Sequence, residues 1–266
     1  MKRIMKLKET FSTIPKLYDK ARLDYPAPLF RDILRYAKLK KNDPILEIGT
    51  GTGKATIPFA KTGHPLIAND LSRSLLKIAK RNLKWYKNVR YIVSTFENAQ
   101  LPGNRFGLIF CAQAFHWVKP SVRFTKTLRL LRPGGTLALF WNYNYYDRGI
   151  GKMALAIHKK YSHAKGDRAN VIIDDLKSNK HFTGTKLKIY RRAVRMSHQE
   201  YVTMQTSYSW YLSLSAVRKK QARADLFTMV KRLPDPLSLP IKTKLMMANK
   251  KIICRNTASV PSNIGI

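Results

Sequence analysis

Short apolar runs alternate with amphipathic stretches along the first half of the chain. "PILEIG" (44–49) predicts a strand and "KATIPFAKTG" (54–63) a helix closed by Gly63. "PLIAND" (65–70) predicts a second strand, and "SRSLLKIAKRNLKWY" (72–86) a helix with Ser72 as N-cap and Leu75, Leu76 and Ala79 on one face. "NVRYIVS" and "FGLIFCAQ" predict strands three and four. "SVRFTKTLRLLRPGG" predicts a helix ended by Pro133 and two glycines, and "TLALFWN" a fifth strand. Strands separated by helices argue for an α/β fold with a mostly parallel sheet.

Before this core, "YPAPLFRDILRYAKL" predicts a helix. After it the pattern thins. Helices are expected over 153–161, 199–208 and 215–233, and strands at "TKLKIYRRAV" and "LSLPIKTKLMMANKK", before a tail at 252–266. No internal repeat is present. The chain reads as a single domain in four parts: an N-terminal helical segment (1–40), a core (41–145), a pocket-shaping region with the last strands (146–250), and the tail (251–266).

Charge changes this picture most. Fifty-one Lys and Arg against fifteen Asp and Glu give a formal net charge of +36. That excess attracts polyanions, so nucleic acid stays open as a partner. The cations are nevertheless spread over nearly every segment rather than gathered into a tail or block, which favours a basic surface over a dedicated nucleic-acid site. Two cysteines, Cys111 and Cys254, give no disulfide framework, and no apolar run approaches the length of a membrane helix. "MKRIMKLKETF" lacks the apolar stretch of a secretory signal. A cytoplasmic protein without membrane association is the expectation.

The densest chemical signal is "LEIGTGTGKAT" (46–56). A P-loop would need glycine at Ile48 and a hydroxyl at Ala55, and fails at both. The dinucleotide fingerprint needs one more residue before its third glycine than Gly49-x-Gly51-x-Gly53 provides. What remains is an acid ending a strand, then alternating glycines that let backbone pass close to a ligand, then a helix N-terminus. Asp70 ends strand two, where a carboxylate can take ribose hydroxyls.

"EIGTGTG" resembles the glycine motif of class I S-adenosylmethionine-dependent methyltransferases. "IANDLS", "FCAQAFHWVKP", "LLRPGGTLALFWN" and the opening "YDKARLDYPAPLFRDIL" are similar to the methyltransferase-11 group, which contains the trans-aconitate methyltransferase-like enzymes. The clear likeness runs from about Phe11 to Asn142. Leu23 replaces a proline of that pattern and Gly107 an aspartate, a loss that bears on stability more than on chemistry.

The resemblance implies a Rossmann-like three-layer α/β sandwich, a seven-stranded sheet with an antiparallel last strand and helical additions. It implies S-adenosyl-L-methionine as cofactor and methyl transfer to an O or N atom of a small molecule, a carboxylate among the candidates. Methylation of RNA, or a catalytically silent fold binding polyanions, are the alternatives. Cofactor contacts are expected from Glu47, Gly49, Gly51, Gly53, Asp70, Thr95, Phe96, Glu97 and Gln113, with Glu47 toward the methionine ammonium. Tyr18, Tyr25, Trp117 and Asn142 are expected to line the acceptor site. His116 is the candidate general base, or shapes the pocket with Trp117. The remaining histidines, His158 and His163 among them, read as surface residues, and no spacing suggests a metal site.

Overall fold

The computed structural model describes residues 10–145, 148–162 and 168–252. Two helices, α1 (Pro15–Ala21) and α2 (Ala27–Ala37), precede β1 (Ile45–Ile48). Then follow α3 (Thr56–Ala60), β2 (Leu66–Asp70), α4 (Arg73–Asn82), β3 (Val89–Val93) and β4 (Phe106–Ala112). A 3-10 turn (Phe115–Trp117) leads to α5 (Pro120–Leu130) and β5 (Leu131–Asn144). The second half holds α6 (Gly149–Tyr161), α7 (Arg168–Ser178), β6 (Phe182–Met196), α8 (His198–Thr206), α9 (Ser209–Leu212), α10 (Ala216–Val230) and β7 (Leu237–Lys250).

The seven strands form one sheet in the order β3-β2-β1-β4-β5-β7-β6. The first five run parallel, and β7 is antiparallel to both neighbours. Its central strands are buried on both faces, as crossover helices require. Ile45, Leu108, Phe110 and Phe140 face α2, α3 and α4, where Phe30, Phe59 and Leu76 meet them. Leu46, Ile109, Leu137 and Leu139 face α5 and α7. A third cluster joins α6, α8 and α10 to the start of β7 through Ala154, Tyr201, Leu226 and Leu239. Among the described residues no helix is long and apolar enough to cross a membrane.

Local chemistry sets the boundaries. Ser72 caps α4, its hydroxyl accepting the Leu75 N–H at 3.2 Å. The helix expected over 121–135 stops at Leu130, because Leu131 already pairs with Phe106 in the sheet. Pro133 and the two glycines therefore form an irregular stretch of β5. A Cβ at Gly135 would lie 2.7 Å from the Phe106 carbonyl.

Gly107 has a similar steric origin: a Cβ there would fall 2.7 Å from Asp43 Oδ2. Asp43 fills that space and binds Arg132 through two nitrogens, at 2.8 and 3.1 Å to Oδ2. Helices α7 and α9 are absent from the sequence expectation, whereas α1 falls in its N-terminal helical segment. The stripe Ala169, Ile172, Ile173 and Leu176, which covers one sheet face, is the helical signal that marks α7.

His158 is not a surface residue. It lies on the inner stripe of α6 with Ile150, Ala154 and Tyr161, its Nε2 3.0 Å from Gln205 Oε1 and its ring 4.4 Å from that of Trp210. Burial drives its pKa down to about 4. His163, Cys254 and the N- and C-terminal segments 1–9 and 253–266 lie outside the described residues.

Candidate functional site

The carboxyl ends of β1, β2, β4 and β5 converge on the glycine turn. Gly49 donates its N–H to the Asn69 carbonyl at 2.8 Å, and Gly51 donates to Asp70 Oδ2 at 2.8 Å, tying the turn to the end of β2. The three glycines answer to different constraints. At Gly49 (φ +74°) a Cβ would lie 2.4 Å from the Cβ of Ala114, and at Gly53 one would lie 3.0 Å from Leu83 Cδ1. Both are packing glycines. At Gly51 (φ +58°) the nearest atom is a Tyr18 ring carbon at 3.7 Å, so Gly51 alone of the three presents its open side to the cleft.

Two buried carboxylates back this turn. Asp70 accepts from Gly51 N and from Ser72 N, each at 2.8 Å; burial raises its pKa against the pull of these donors. Glu47 is fully buried. Its Oε2 accepts the Thr56 hydroxyl at 2.5 Å, while Oε1 has no hydrogen-bond partner. Desolvation outweighs the hydroxyls of Thr56 and Thr50 and lifts its pKa to about 8, helped by the nearby Asp70. A buried carboxylate oxygen left without a donor, on the wall of a cleft, is a place where an ammonium fits.

Of the residues expected at the site, Glu47, Gly49, Gly51, Gln113, Tyr18, Tyr25 and Asn142 line this one cleft. Gln113 sits at φ +62°, held by its N–H to the Phe140 carbonyl, and its side chain donates to the Asn142 carbonyl at 3.3 Å. Tyr25 stands edge-on to Phe140 at 4.8 Å, and burial raises its phenol pKa. Gly53 and Asp70 support the turn from behind.

The structure does not bring the others into the lining. Phe96 is buried in the core, with Lys126 over its ring. Glu97 accepts the Lys119 N–H at 2.9 Å at the start of α5, and Thr95 holds the turn to Asn98. His116 and Trp117 lie on the 3-10 turn, with ring centroids 4.8 Å apart.

Sequence reasoning missed Arg22 and Tyr208. The Arg22 guanidinium lies between the rings of Tyr18 (4.6 Å) and Tyr208 (4.4 Å) and donates to the Ser207 carbonyl at 3.0 Å. Arg22 stands two residues before Asp24, whose carboxylate pairs with Lys54 on the far side of the turn. The signal for Arg22 was the "ARL" of the opening segment; nothing near Tyr208 marked it. Together these side chains leave only about 50 Å³ of free space in the cleft.

Residues 46–139 match the family described as a methyltransferase domain. The chain carries a class I methyltransferase domain. A Dictyostelium discoideum protein named as a methyltransferase is 28% identical to it over 228 residues, covering 83% of this chain and 84% of that protein. An uncharacterized methyltransferase of Schizosaccharomyces pombe is 27% identical, covering 85% and 88%. The fold of this methyltransferase is shared with a solved type II methyltransferase from Anaeromyxobacter dehalogenans. That structure has a TM-score of 0.61 at 18% identity and spans 87% of this chain and 98% of its own. It is also shared with phosphoethanolamine N-methyltransferase 2 of Haemonchus contortus, solved with phosphomonomethylethanolamine and S-adenosylhomocysteine. There the TM-score is 0.55 at 15% identity, over 91% and 58%.

Proposed function

We propose that this methyltransferase uses S-adenosyl-L-methionine to methylate an O or N atom of a small molecule, with a carboxylate the favoured acceptor. The observation that carries the reading is Glu47 Oε1, buried and without a donor, on a residue that lines the cleft together with Gly51. In it, Glu47 receives the methionine ammonium and Arg22 the methionine carboxylate. In this reading Asp70 takes a ribose hydroxyl and the loop of Thr95, Phe96 and Glu97 the adenine once the cleft opens, since none of the four lines it in the closed form. The bound sulfonium supplies the electrophilic methyl group.

What the chain itself does is position and exclude water. Tyr18, Arg22 and Tyr208 fill the cleft and must give way for entry, then close over it, so α1 serves as a lid. Gln113 and Asn142 orient the acceptor, and the segment 146–250 shapes its pocket. An acceptor carboxylate is already ionised near neutral pH and needs no base, so alignment in a dry site supplies most of the rate, of the order of 7–11 kcal/mol. A Marinomonas relative named malonyl-[acyl-carrier protein] O-methyltransferase, 28% identical over about half of each chain, is in keeping with oxygen as acceptor. The narrower likeness to the trans-aconitate methyltransferase-like group belongs to this same proposal.

Calorimetry with S-adenosylmethionine and S-adenosylhomocysteine tests the cofactor, and a panel of carboxylic acids, phenols and amines with labelled methyl donor tests the acceptor. Binding that Glu47→Gln weakens, with label moving to an acid, supports the reading. No binding heat with either nucleoside defeats it, and label entering RNA alone would establish the RNA alternative.

A further inference from the structure

A second pocket, about 340 Å³, opens beyond the end of β5, lined by Tyr145, Arg148, Arg191, Arg192, Ala193, Pro240 and Ile241. Three of its seven residues are arginines. None of the ion pairs among the described residues involves them. The carboxylate that acts on Arg192 from nearby is that of Asp24, itself paired with Lys54 at 3.0 Å. Arg192, which follows Arg191 on β6, turns to the opposite face of the strand and donates to the Asp24 carbonyl, so Arg148 and Arg191 are the guanidiniums left to the pocket. Arg148 is also the N-cap of α6, a 13-residue helix with no acid in its first turn and no side-chain cap, so the positive end of the helix opens at the pocket rim.

We propose that this pocket binds a compact anion: a small molecule bearing two or more phosphate or carboxylate groups. Arginine forks suit such groups because two parallel N–H donors meet two oxygens. The volume holds a small ligand of that kind. A single-stranded nucleic acid is a poorer match, since it needs aromatic faces on which bases stack. The Tyr145 ring is instead covered by Arg148 at 5.2 Å and Lys242 at 5.3 Å. Arg192 ties this wall to the cleft wall. The Asp24 carbonyl accepts both from Arg192 and, at 3.2 Å, from the Asn142 side chain of the cleft wall. The site stands on its own pocket and does not require the cleft to bind a sulfonium.

The test is equilibrium binding of inorganic pyrophosphate, citrate and a 15-nucleotide oligouridylate to the full chain at fixed salt. R148Q/R191Q should weaken pyrophosphate or citrate at least tenfold, whereas K220Q/K231Q, which removes the same charge elsewhere on the surface, should change it less than twofold. Equal loss in both pairs would reduce the effect to the overall field of a +36 chain and overturn the proposal. So would oligouridylate binding that R148Q/R191Q abolishes but pyrophosphate cannot displace. A readout on the unaltered protein guards against misfolded variants: pyrophosphate should slow phenylglyoxal modification of Arg148 and Arg191, mapped by mass spectrometry. Unprotected arginines would contradict the site.

Discussion

Asp70 accepts the N–H of Gly51 at 2.8 Å, so the second acid of the motif builds the turn whose open side faces the cleft. An asparagine at 70 keeps one acceptor oxygen but turns an NH2 toward one of the two backbone donors, Gly51 or Ser72. Asp70→Asn is therefore expected to cost about 1–3 kcal/mol of stability, the usual penalty for a buried donor left unsatisfied. It should also weaken S-adenosylmethionine binding. Urea denaturation together with calorimetry checks both; an unchanged midpoint would mean the turn does not depend on this carboxylate.

The glycines should separate by substitution. Gly49→Ala places a Cβ 2.4 Å from Ala114 in a left-handed backbone, and is expected to destabilise the fold by about 2–4 kcal/mol. Gly51→Val meets no such wall, so its stability loss should stay near the 1–2 kcal/mol of the backbone conformation itself. Its branched side chain enters the cleft, and cofactor affinity should fall at least 100-fold. Comparable melting temperatures for the two variants would refute the division of roles.

The role proposed for Glu47 predicts that cofactor binding is proton-linked. With a pKa of about 8 its carboxyl is mostly protonated at pH 7, and an ammonium against Oε1 demands the ionised form. Binding at pH 7 should release about 0.9 proton, and the release should vanish above pH 9 and in Glu47→Gln. The sign for the free protein follows: a carboxyl raised from 4.5 to about 8 contributes stability below pH 4.5 that is lost as pH rises to 8. Calorimetry in buffers of different ionisation heat reads the first effect, and Tm against pH, flattened in Glu47→Gln, the second.

Much of this site was legible because its chemistry is local. Glu47, Gly49, Gly51 and Gly53 occupy one seven-residue stretch, and Ser72 follows Asp70 by two, so the turn and its second acid can be read from spacing alone. The five parallel strands show as apolar runs for the same reason. Arg22 and Tyr208 were hidden because they are 186 residues apart and meet only through the packing of α1 and α8. His158 was read as a surface residue, although Ile150, Ala154 and Tyr161 place it on a buried helical stripe. The irregular start of β5 escaped because proline and paired glycines mark helix ends as well as bulges.

His158 gives the protein a pH dependence opposite to that of Glu47. Folding holds the imidazole neutral, so the unfolded chain binds a proton that the folded one refuses as pH falls from 6.5 to about 4. Stability is intact above pH 6.5 and should decline by up to about 3 kcal/mol toward pH 4 from this group alone. In His158→Gln the acid limb should flatten. A limb that stays as steep would show another group to be responsible.

His116 provides a sharper test of the chemistry. Its turn leaves β4 at the correct end of the sheet, yet its side chain is absent from the cleft lining. Acceptor alignment by Gln113 and Asn142 then predicts that His116→Ala lowers kcat less than fivefold, whereas Asn142→Ala lowers it at least tenfold with cofactor affinity retained. A hundredfold loss in His116→Ala, with the loss of a limb of the pH profile, would establish the histidine as a general base.

The lid reading rests on how α1 is fastened at its C-terminal turn. Asp19 accepts from the Asn82 side chain at 3.4 Å and lies 3.9 Å from Arg81, while Arg22, the C-cap three residues on, holds the Ser207 carbonyl. With so little free space, the lid reading expects opening of α1 to precede entry and to limit association. Asp19→Ala removes the fastening on α4 without touching the cleft wall, so both association and dissociation of S-adenosylhomocysteine should accelerate several-fold, leaving Kd within twofold. Arg22→Ala should act differently, since it removes a group that holds the ligand: dissociation accelerates while association does not slow, and Kd rises at least tenfold. Stopped-flow kinetics separates the two patterns. If neither variant alters the rates, α1 is a fixed wall and the cofactor enters elsewhere.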